Sequence, residues 1–323
     1  MRIVANVIRG GEVESVHEVE AVVVDSDNEP VFRTAHPDLM TYARSSVKPF
    51  QAYPLVSSGA ARAFDLTPKE LAICCASHNS EPVHLETVSA LQQRTGIEEE
   101  MLECGTHIPL DEDTAEEVLR ANKTLTPNYN NCSGKHTGML LACKHLGYPL
   151  KGYVDEDHPL QVQIREYLES LIDRQPIYAG IDGCSLPTFY LSLRELALLF
   201  RQLAAGEDEH LNILYDAMTS EPYLVAGRKR FDTRVMEAMG VAVVSKVGAE
   251  GVRALGIRKN DEAYGLALKV LDGNKRASSP AVFKIFEHLG WQVDREQLKD
   301  YIEPDIVNRA GLKVGKISTK VIQ

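Results

Sequence analysis

The sequence predicts an α/β (α+β) protein in which a mixed sheet, built from both ends of the chain, encloses an inserted block of helices. Two observations support this fold class. Runs rich in valine and isoleucine occur near both ends of the 323 residues, at 2–34 and 241–271. Between them, from Ser45 to about Ser220, apolar residues recur at helical spacing.

The N-terminal part of the sheet is predicted from three short β-branched runs, at residues 2–8, 20–25 and 30–34. The cluster Asp25-Ser26-Asp27-Asn28 lies between the second and third runs, where residues of this type are typical of a hairpin turn. Its Ser-Asp-Asn triplet also matches a catalytic motif of serine acylases. Because it lies between two strands, we interpret it as a turn.

The helical block contains one well-defined start signal, Thr67-Pro68-Lys69-Glu70, which has the composition of a capping box. Four longer stretches carry apolar residues at helical spacing. They are Asp111–Asn122, Lys135–Leu146, His158–Asp173 and Leu191–Ala204. Gly147 and Gly206 follow two of these stretches, at the positions where helices commonly end.

Strand character returns at 241–247, 252–258 and 263–271. We then expect a helix at Pro280–Leu289, followed by a further helix and a short basic tail. The C-terminal strands and the N-terminal strands together supply the sheet.

We therefore expect a single domain over residues 1–323. A helical subdomain at about 64–220 is inserted between sheet parts at 1–40 and 241–323. The alternative is two separate α/β domains divided near residue 175. It would favour a flexible linker at that point, and the sequence shows none.

The composition is that of a globular protein acting on a small molecule. With 44% hydrophobic residues, the chain can bury a large core. A net charge of -11 disfavours nucleic acid and anionic membranes as partners. Residues 1–25 carry four glutamates where a signal peptide needs an apolar core, and the six cysteines are scattered. We expect a cytoplasmic protein without a membrane or nucleic-acid partner.

Three short motifs indicate acyl transfer through a serine. Ser45-Ser46-Val47-Lys48 has SxxK spacing, which places a hydroxyl and an amine on one helical turn and suits a serine nucleophile with a lysine base. Ser77-His78-Asn79 and Lys246-Val247-Gly248 follow in the order that β-lactamases and penicillin-binding proteins use. Lys313-Val314-Gly315 repeats the last motif within the predicted tail, so we prefer Lys246.

Each motif also has a purely structural interpretation. On spacing alone, Ser45 as a helix N-cap and Lys48 as a solvated helix residue are an equal alternative. Ser77 would then be a polar cap at the end of a helix. For Lys48 to act as a base, burial or a nearby charge such as Lys246 must lower its pKa.

The cysteines suggest a second kind of site. Cys132 lies in a polar segment that opens a predicted helix, and Cys184 follows a short strand-like run. The two thiols could share a metal ion, although reduced buried thiols are the default without paired CxxC motifs. The other four cysteines are expected in the core. Arg44 and Asp182 are the best candidates to bind the carboxylate and ammonium of an amino-acid substrate, with a salt bridge as the alternative.

Five longer segments of the sequence carry a family resemblance. They are Ala43-Arg44-Ser45-Ser46-Val47-Lys48-Pro49, Cys75-Ala76-Ser77-His78, Asn131-Cys132-Ser133-Gly134-Lys135-His136-Thr137-Gly138-Met139, Gly180-Ile181-Asp182-Gly183-Cys184 and Ser245-Lys246-Val247-Gly248. Together they resemble the rhizobial-type L-asparaginases, the third structural class of asparaginases. The similarity extends from about residue 4 to residue 272, and the segment around Cys132 is its most specific part.

The resemblance implies a serine-β-lactamase-like fold, a homodimer, and hydrolysis of L-asparagine to L-aspartate and ammonia. It pairs Ser45, the expected nucleophile, with Lys48, and Ser77 with Lys246. It also implies one zinc ion per subunit, held by Cys132, Lys135 and Cys184. Because a lysine ligand must be neutral, we expect this zinc to tune substrate placement or local pKa values rather than generate hydroxide. Substrate binding is assigned to Arg44, His136, Asp182 and Gly248.

Two other functions are alternatives. The chain could be a different Ser/Lys acylase, such as a β-lactamase-like amide or ester hydrolase. It could also be a zinc-binding or amino-acid-binding homologue that has lost its chemistry. Turnover of a β-lactam without turnover of asparagine would favour the first, and binding without ammonia release the second.

Overall fold

The computed structural model describes the whole chain, from Met1 to Gln323. Its strands are β1 (Arg2–Arg9), β2 (Glu12–Val24), β3 (Pro30–Arg33), β4 (Met40–Tyr42), β5 (Ala179–Ile181), β6 (Pro187–Ser192), β7 (Val243–Val247), β8 (Val252–Lys259), β9 (Glu262–Val270), β10 (Asp305–Val307) and β11 (Lys313–Ile322). Its helices are α1 (Lys48–Gln51), α2 (Tyr53–Ser57), α3 (Ala60–Ala63), α4 (Pro68–Cys74), α5 (Pro82–Thr95), α6 (Glu112–Arg120), α7 (Ser133–Leu146), α8 (Pro159–Ile172), α9 (Leu193–Ala205), α10 (Glu209–Ser220), α11 (Pro222–Val225), α12 (Phe231–Met239), α13 (Ser278–His288) and α14 (Lys299–Ile302). None of these helices has the length and apolar character that crossing a membrane requires.

The chain forms two compact units. The sheet unit comprises Met1–Ser46, Leu191–Ala205 and Arg234–Gln323, and the helical unit comprises Val47–Tyr190 and Gly206–Thr233. The expected fold class is confirmed, because strands from both ends of the chain build one sheet and most helices belong to the segment between them. The single domain over 1–323, with the boundaries given above, stays a prediction.

The sheet unit is organised around an eight-stranded sheet in the order β10-β11-β1-β2-β9-β8-β7, with β3 also pairing with β2. Every pairing in it is antiparallel, so the expectation of a mixed sheet was wrong in this detail. Strand pairs β1–β2 and β8–β9 follow each other through tight hairpins, which impose antiparallel pairing.

The C-terminal segment is a strand rather than the expected helix and tail. Strand β11 pairs with β1 from Ile322, opposite Arg2, to Gly315, opposite Arg9. The expected helix is reduced to the single turn α14. Because the partner of β11 lies at the other end of the chain, only the assembled sheet reveals this pairing.

Helix α9 packs closely on one face of the sheet. A Cβ atom at Gly265 would lie only 1.8 Å from the Ala197 carbonyl oxygen of α9, so no side chain fits there. The neighbouring residue on β9, Tyr264, points to the opposite face, since side chains alternate along a strand. Its ring contacts Trp291, just beyond α13, with the ring centroids 5.0 Å apart. The sheet is therefore covered on both faces.

The helix predictions are confirmed with small shifts at the ends. Helices α6, α7, α8 and α9 occupy the four predicted stretches. Gly147 follows α7 with a φ of 71°, and Gly206 follows α9 with a φ of 73°, as expected of glycine at helix ends. Leu191 and Ser192 belong to β6 instead of α9. Helix α9 lies in the sheet unit.

The predicted capping box at the start of α4 is present. The Thr67 hydroxyl accepts a hydrogen bond from the Glu70 backbone N–H at 3.3 Å, and the Glu70 carboxylate accepts one from the Thr67 N–H at 2.8 Å. The Arg94 guanidinium donates to the same carboxylate at 2.7 Å. Burial by itself would raise the pKa of Glu70, but the hydrogen bonds from Thr67 and Arg94 lower it overall.

Replacing Glu70 by glutamine should therefore lower the free energy of unfolding at pH 7, by about 0.5–1 kcal/mol. The folded-state pKa of Glu70 is lowered, so the carboxylate stabilises the protein above its ordinary value of 4.5, and this is lost as pH falls through the lowered value. Urea unfolding at pH 7 and near pH 3 measures the effect. Exposed Glu86→Gln is the control, and an equal loss at both pH values would contradict the interpretation.

Candidate active site

The SxxK segment spans the point in the sequence where the sheet unit ends and the helical unit begins, between Ser46 and Val47. Residues Arg44–Val47 form a turn of 3-10 helix, and α1 begins at Lys48. Arg44 has a φ of 53°, in the left-handed region that residues other than glycine seldom adopt. Strained residues of this kind are concentrated at functional sites.

The structure distinguishes the two serines of this segment. Ser46 is fully buried, and its hydroxyl donates to the Ala43 carbonyl oxygen at 2.6 Å. Its proton is therefore used to hold the turn. Ser45 is half-buried, and its hydroxyl does not make the bond to the Ala43 carbonyl oxygen that holds the turn. Of the two serines, Ser45 is thus the better candidate for a nucleophile, and its catalytic role stays a prediction.

Gly248 has a steric role beside the same turn. A Cβ atom at Gly248 would lie 2.7 Å from the Ala43 carbonyl oxygen, so a side chain would displace the turn that carries Ser45. The Gly248 N–H donates to the Val252 carbonyl oxygen at 2.9 Å. Gly248 therefore contributes by lacking a side chain, since its N–H already has a partner.

Lys246 is also fully buried, near the end of β7. Its amine donates to the Val247 carbonyl oxygen at 3.2 Å. Lys313, the lysine of the competing motif, has a side chain that is 60% exposed and pairs with Asp305. A lysine that acts on a proton in a water-poor site needs burial, so the contrast favours Lys246.

In the helical unit, Lys48 and Ser77 are in direct contact. Lys48 is fully buried, and its amine donates to the Ser77 hydroxyl at 2.9 Å and to the Ala76 carbonyl oxygen at 2.5 Å. Two residues 29 positions apart in sequence are thereby joined. Burial lowers the pKa of Lys48, and the charge of Lys135 lowers it further, while Cys132 and Cys184 oppose the shift. The amine is therefore shifted toward its neutral, basic form.

The three predicted zinc ligands come together in the helical unit. Cys132 is the residue before α7, Lys135 lies in the first turn of that helix, and Cys184 follows β5. The Lys135 amine lies 3.3 Å from the Cys184 sulfur, and the two cysteine side chains are hydrogen-bonded. All three side chains are buried.

This arrangement fits one zinc ion. Nitrogen and sulfur ligands at about 2.0 and 2.3 Å from a tetrahedral zinc lie ~3.5 Å apart, close to the observed distance between Lys135 and Cys184. Two sulfur donors and one nitrogen donor also suit zinc and leave a fourth position for another ligand. No group of three or more His, Cys, Asp and Glu side chains is placed to hold a metal ion.

The charges in this cluster are strongly coupled. The hydrogen bond from Cys184 lowers the pKa of Cys132 well below its usual value, and Lys48 and Lys135 add to the effect. As the donor in that bond, Cys184 has a raised pKa. Burial would lower the pKa of Lys135, but the two cysteines and Asp182 raise it overall. These shifts favour a thiolate on Cys132 and an ammonium on Lys135.

His136 lies next to this cluster with one ring nitrogen unpaired. The Tyr153 hydroxyl accepts the Glu103 N–H at 2.9 Å and is hydrogen-bonded to His136 Nδ1 at 2.7 Å. Since this hydroxyl already accepts one hydrogen bond, we assign its own proton to the bond with Nδ1. Burial, Lys135 and Lys48 together lower the pKa of His136 well below its usual value, and the ring is neutral. This assignment places the ring proton on Nε2, which is buried and has no hydrogen-bond partner. A bound molecule could satisfy this donor.

Replacing Tyr153 by phenylalanine should release the His136 ring from its single tautomer. The change leaves His136 Nδ1 and the Glu103 N–H without a partner and should cost about 1–3 kcal/mol of stability. Nitrogen-15 NMR of the histidine ring is expected to show the Nε2–H form in the native protein and a mixture in the variant. Tyr148→Phe is the control. An unchanged His136 spectrum in Tyr153→Phe would contradict the assignment.

The two remaining predicted residues, Asp182 and Arg44, belong to different units. Asp182 is half-buried in the turn that carries Cys184, and its carboxylate accepts the Gly183 N–H at 2.7 Å. The negative charge of Asp182 raises the pKa of Lys135. Arg44 belongs to the sheet unit, in the same turn as Ser45.

The sequence motifs missed two residues. Tyr153 sets the tautomer of His136, and nothing in the sequence around it marks that role. Arg230 bonds to the main chain of Ser77. The basic run Arg228-Lys229-Arg230, unusual in an acidic chain, was the only available signal.

Comparison with known protein families finds a match over nearly the whole chain. A family model described as L-asparaginase II matches residues 5–319. No curated protein matches the chain. Among solved structures, a Bacteroides dorei protein provisionally assigned as a beta-lactamase aligns over 88% of this chain and 93% of its own. The TM-score is 0.39 and the identity 11%, and we base no argument on this likeness.

Proposed function

The chain belongs to the L-asparaginase II family, whose model covers residues 5–319, and on this premise we propose that it hydrolyses L-asparagine to L-aspartate and ammonia. Family membership makes the chain an amidohydrolase and accounts for the resemblance found in its motifs. The family match is the observation that carries the proposal. The buried contact between Lys48 and Ser77 adds chemical support.

In the proposed reaction, the Ser45 hydroxyl oxygen attacks the side-chain amide carbon of the substrate. Lys48 accepts the hydroxyl proton and passes it to the leaving nitrogen, so that the C–N bond breaks and ammonia departs. A β-aspartyl ester of Ser45 remains. Water, activated by the same base, hydrolyses the ester and restores the serine. The SxxK spacing on one helical stretch and the lowered pKa of Lys48 support these roles.

Ser77 and Lys246 form the second proposed Ser/Lys pair. The Ser77 hydroxyl accepts a hydrogen bond from Lys48 at 2.9 Å, which gives the amine a partner for proton exchange. Lys246, which is fully buried, is proposed as the second lysine of the site, as the resemblance implies. Both residues support the proton transfer that Ser45 and Lys48 carry out.

Substrate binding is proposed from the chemistry of the remaining residues. Arg44 would bind the α-carboxylate and Asp182 the α-ammonium of the amino acid. His136 would donate from Nε2, the ring nitrogen that has no partner within the protein. Gly248 would keep space free beside the turn of Ser45.

We further propose one zinc ion per subunit, held by Cys132, Lys135 and Cys184. When bound, the ion would supply a fixed positive charge that orients the substrate and shifts neighbouring pKa values. Lys135 and Cys184 must each lose a proton to become ligands, so zinc binding should release protons. A homodimer stays a prediction from the sequence resemblance, and a cytoplasmic location stays one from the composition of residues 1–25 and the scattered cysteines.

Replacing Ser45 by alanine should abolish ammonia release from L-asparagine, with a loss of at least about 10³-fold in kcat. The reason is that no other group is proposed to form the ester. A coupled ammonia assay with asparagine, glutamine and no substrate measures it. Mass spectrometry of quenched native enzyme should show one added aspartyl group on the peptide containing Ser45.

Ser46→Ala is the matched control for Ser45→Ala. It removes the hydrogen bond to the Ala43 carbonyl and should reduce stability while keeping the ester-forming serine. Release that survives in Ser45→Ala but not in Ser46→Ala would overturn the assigned nucleophile. If the native protein hydrolyses a β-lactam but releases no ammonia from asparagine, the substrate assignment fails.

Zinc content tests the metal proposal independently of activity. The native protein, loaded with zinc and dialysed, should retain about one ion per chain, because three donors converge. Cys132→Ser and Cys184→Ser should lose most of it. Cys143→Ser makes the same change at a buried cysteine of α7 and should keep the metal. Equal zinc content in all four proteins, or none in the native one, would refute the site.

A further inference from the structure

The main chain at Ser77 is held from both sides by one segment, Val225 to Arg230, of the helical unit. The Val225 carbonyl oxygen accepts the Ser77 N–H at 2.9 Å. The Arg230 guanidinium donates to the Ser77 carbonyl oxygen at 3.3 Å and to the Asn79 side-chain oxygen at 2.8 Å. Both donations come from the same nitrogen, Nη1. The segment thus fixes the backbone on either side of the Ser77 side chain.

This segment is itself anchored by a buried carboxylate. Glu81 accepts the Arg228 backbone N–H at 2.8 Å and the Asn79 side-chain amide at 3.1 Å. A Cβ atom at Gly227 would lie 2.4 Å from the same Glu81 oxygen, so only glycine allows this close approach. Because Glu81 follows Asn79 by two residues, it ties the segment back to the stretch that carries Ser77.

We propose that Arg230 is a positioning residue for the amidohydrolase reaction, which holds the Ser77 main chain so that the Ser77 hydroxyl faces the Lys48 amine. This inference rests on the proposed function. It goes beyond the SxxK, SxN and KxG motifs, none of which includes Arg230.

The position of the Ser77 main chain affects catalysis through the hydrogen bonds of Lys48. Its amine bonds to two consecutive residues, the Ala76 carbonyl oxygen and the Ser77 hydroxyl. Any shift of the chain at Ser77 therefore changes the surroundings of the proposed base. Misplacing a catalytic group by about 1 Å can cost about 10²-fold in rate. The guanidinium suits the role because it is always charged and presents donors in a fixed plane.

The test compares Arg230→Met and Arg230→Lys with Arg228→Met. Arg228 belongs to the same segment, and its guanidinium pairs with Asp111 at 2.6 Å and lies 3.8 Å from Glu81. Only its backbone carbonyl oxygen bonds to Asn79, at 3.1 Å, and this bond does not depend on the side chain that is replaced. Arg230→Met should lower kcat for asparagine by about 10–100-fold with KM changed less than about threefold. Arg230→Lys should recover part of the rate. Arg228→Met should lose stability but keep kcat within about twofold.

Two further measurements separate positioning from a loss of folding. Methylguanidine added to Arg230→Met should restore part of kcat, and should not affect Arg228→Met. Hydrogen exchange of the peptide containing Cys75–Asn79 should speed up in Arg230→Met only, because the Ser77 N–H is bonded to this segment. This exchange measurement needs no substrate.

The outcomes distinguish the two proposals. Without ammonia release by the native protein, the proposed function fails, while hydrogen exchange still reports whether Arg230 holds Ser77. A loss in Arg230→Met that appears mainly in KM would make the arginine a substrate contact instead. Unchanged kcat with unchanged exchange, or equal losses in both methionine variants, would refute the positioning role.

Discussion

The burial of Lys48 is the constraint on which the candidate site depends. A fully buried lysine amine is costly unless its hydrogen bonds are satisfied, and here the Ala76 carbonyl and the Ser77 hydroxyl satisfy it. The chain after α4 must therefore return to Lys48 in one conformation. Burial also lowers the pKa of the amine, so the contact that is structurally demanding makes the lysine a better base.

The buried charges beside Lys48 are balanced within a small cluster. Lys135 and the hydrogen bond from Cys184 both lower the pKa of Cys132, and the two cysteines raise the pKa of Lys135. A buried charge without such a partner would cost several kcal/mol. In the proposed zinc complex, the ion would replace the protons of Lys135 and Cys184. The three residues that balance one another's charges in the buried cluster are thus the same three that are proposed to bind zinc.

Local patterns predicted much of the fold. The capping box at Thr67–Glu70 and the glycine ends of α7 and α9 depend on neighbouring residues, so their sequence alone was sufficient. Strand β11 was missed, because its partner β1 lies at the far end of the chain. For the same reason, the amphipathic pattern of α9 predicted a helix without indicating that it would pack on the sheet.

By itself, the sequence determined which residue types are present at which spacing: the SxxK segment, the Cys132–Lys135 pair and the family to which the chain belongs. Only the tertiary structure decided their contacts. Three hydrogen bonds join residues distant in sequence: Lys48 to Ser77, Tyr153 to His136, and Arg230 to Ser77. Spacing reports geometry within one helical turn or strand, whereas hydrogen bonds and burial between elements depend on how the whole chain packs.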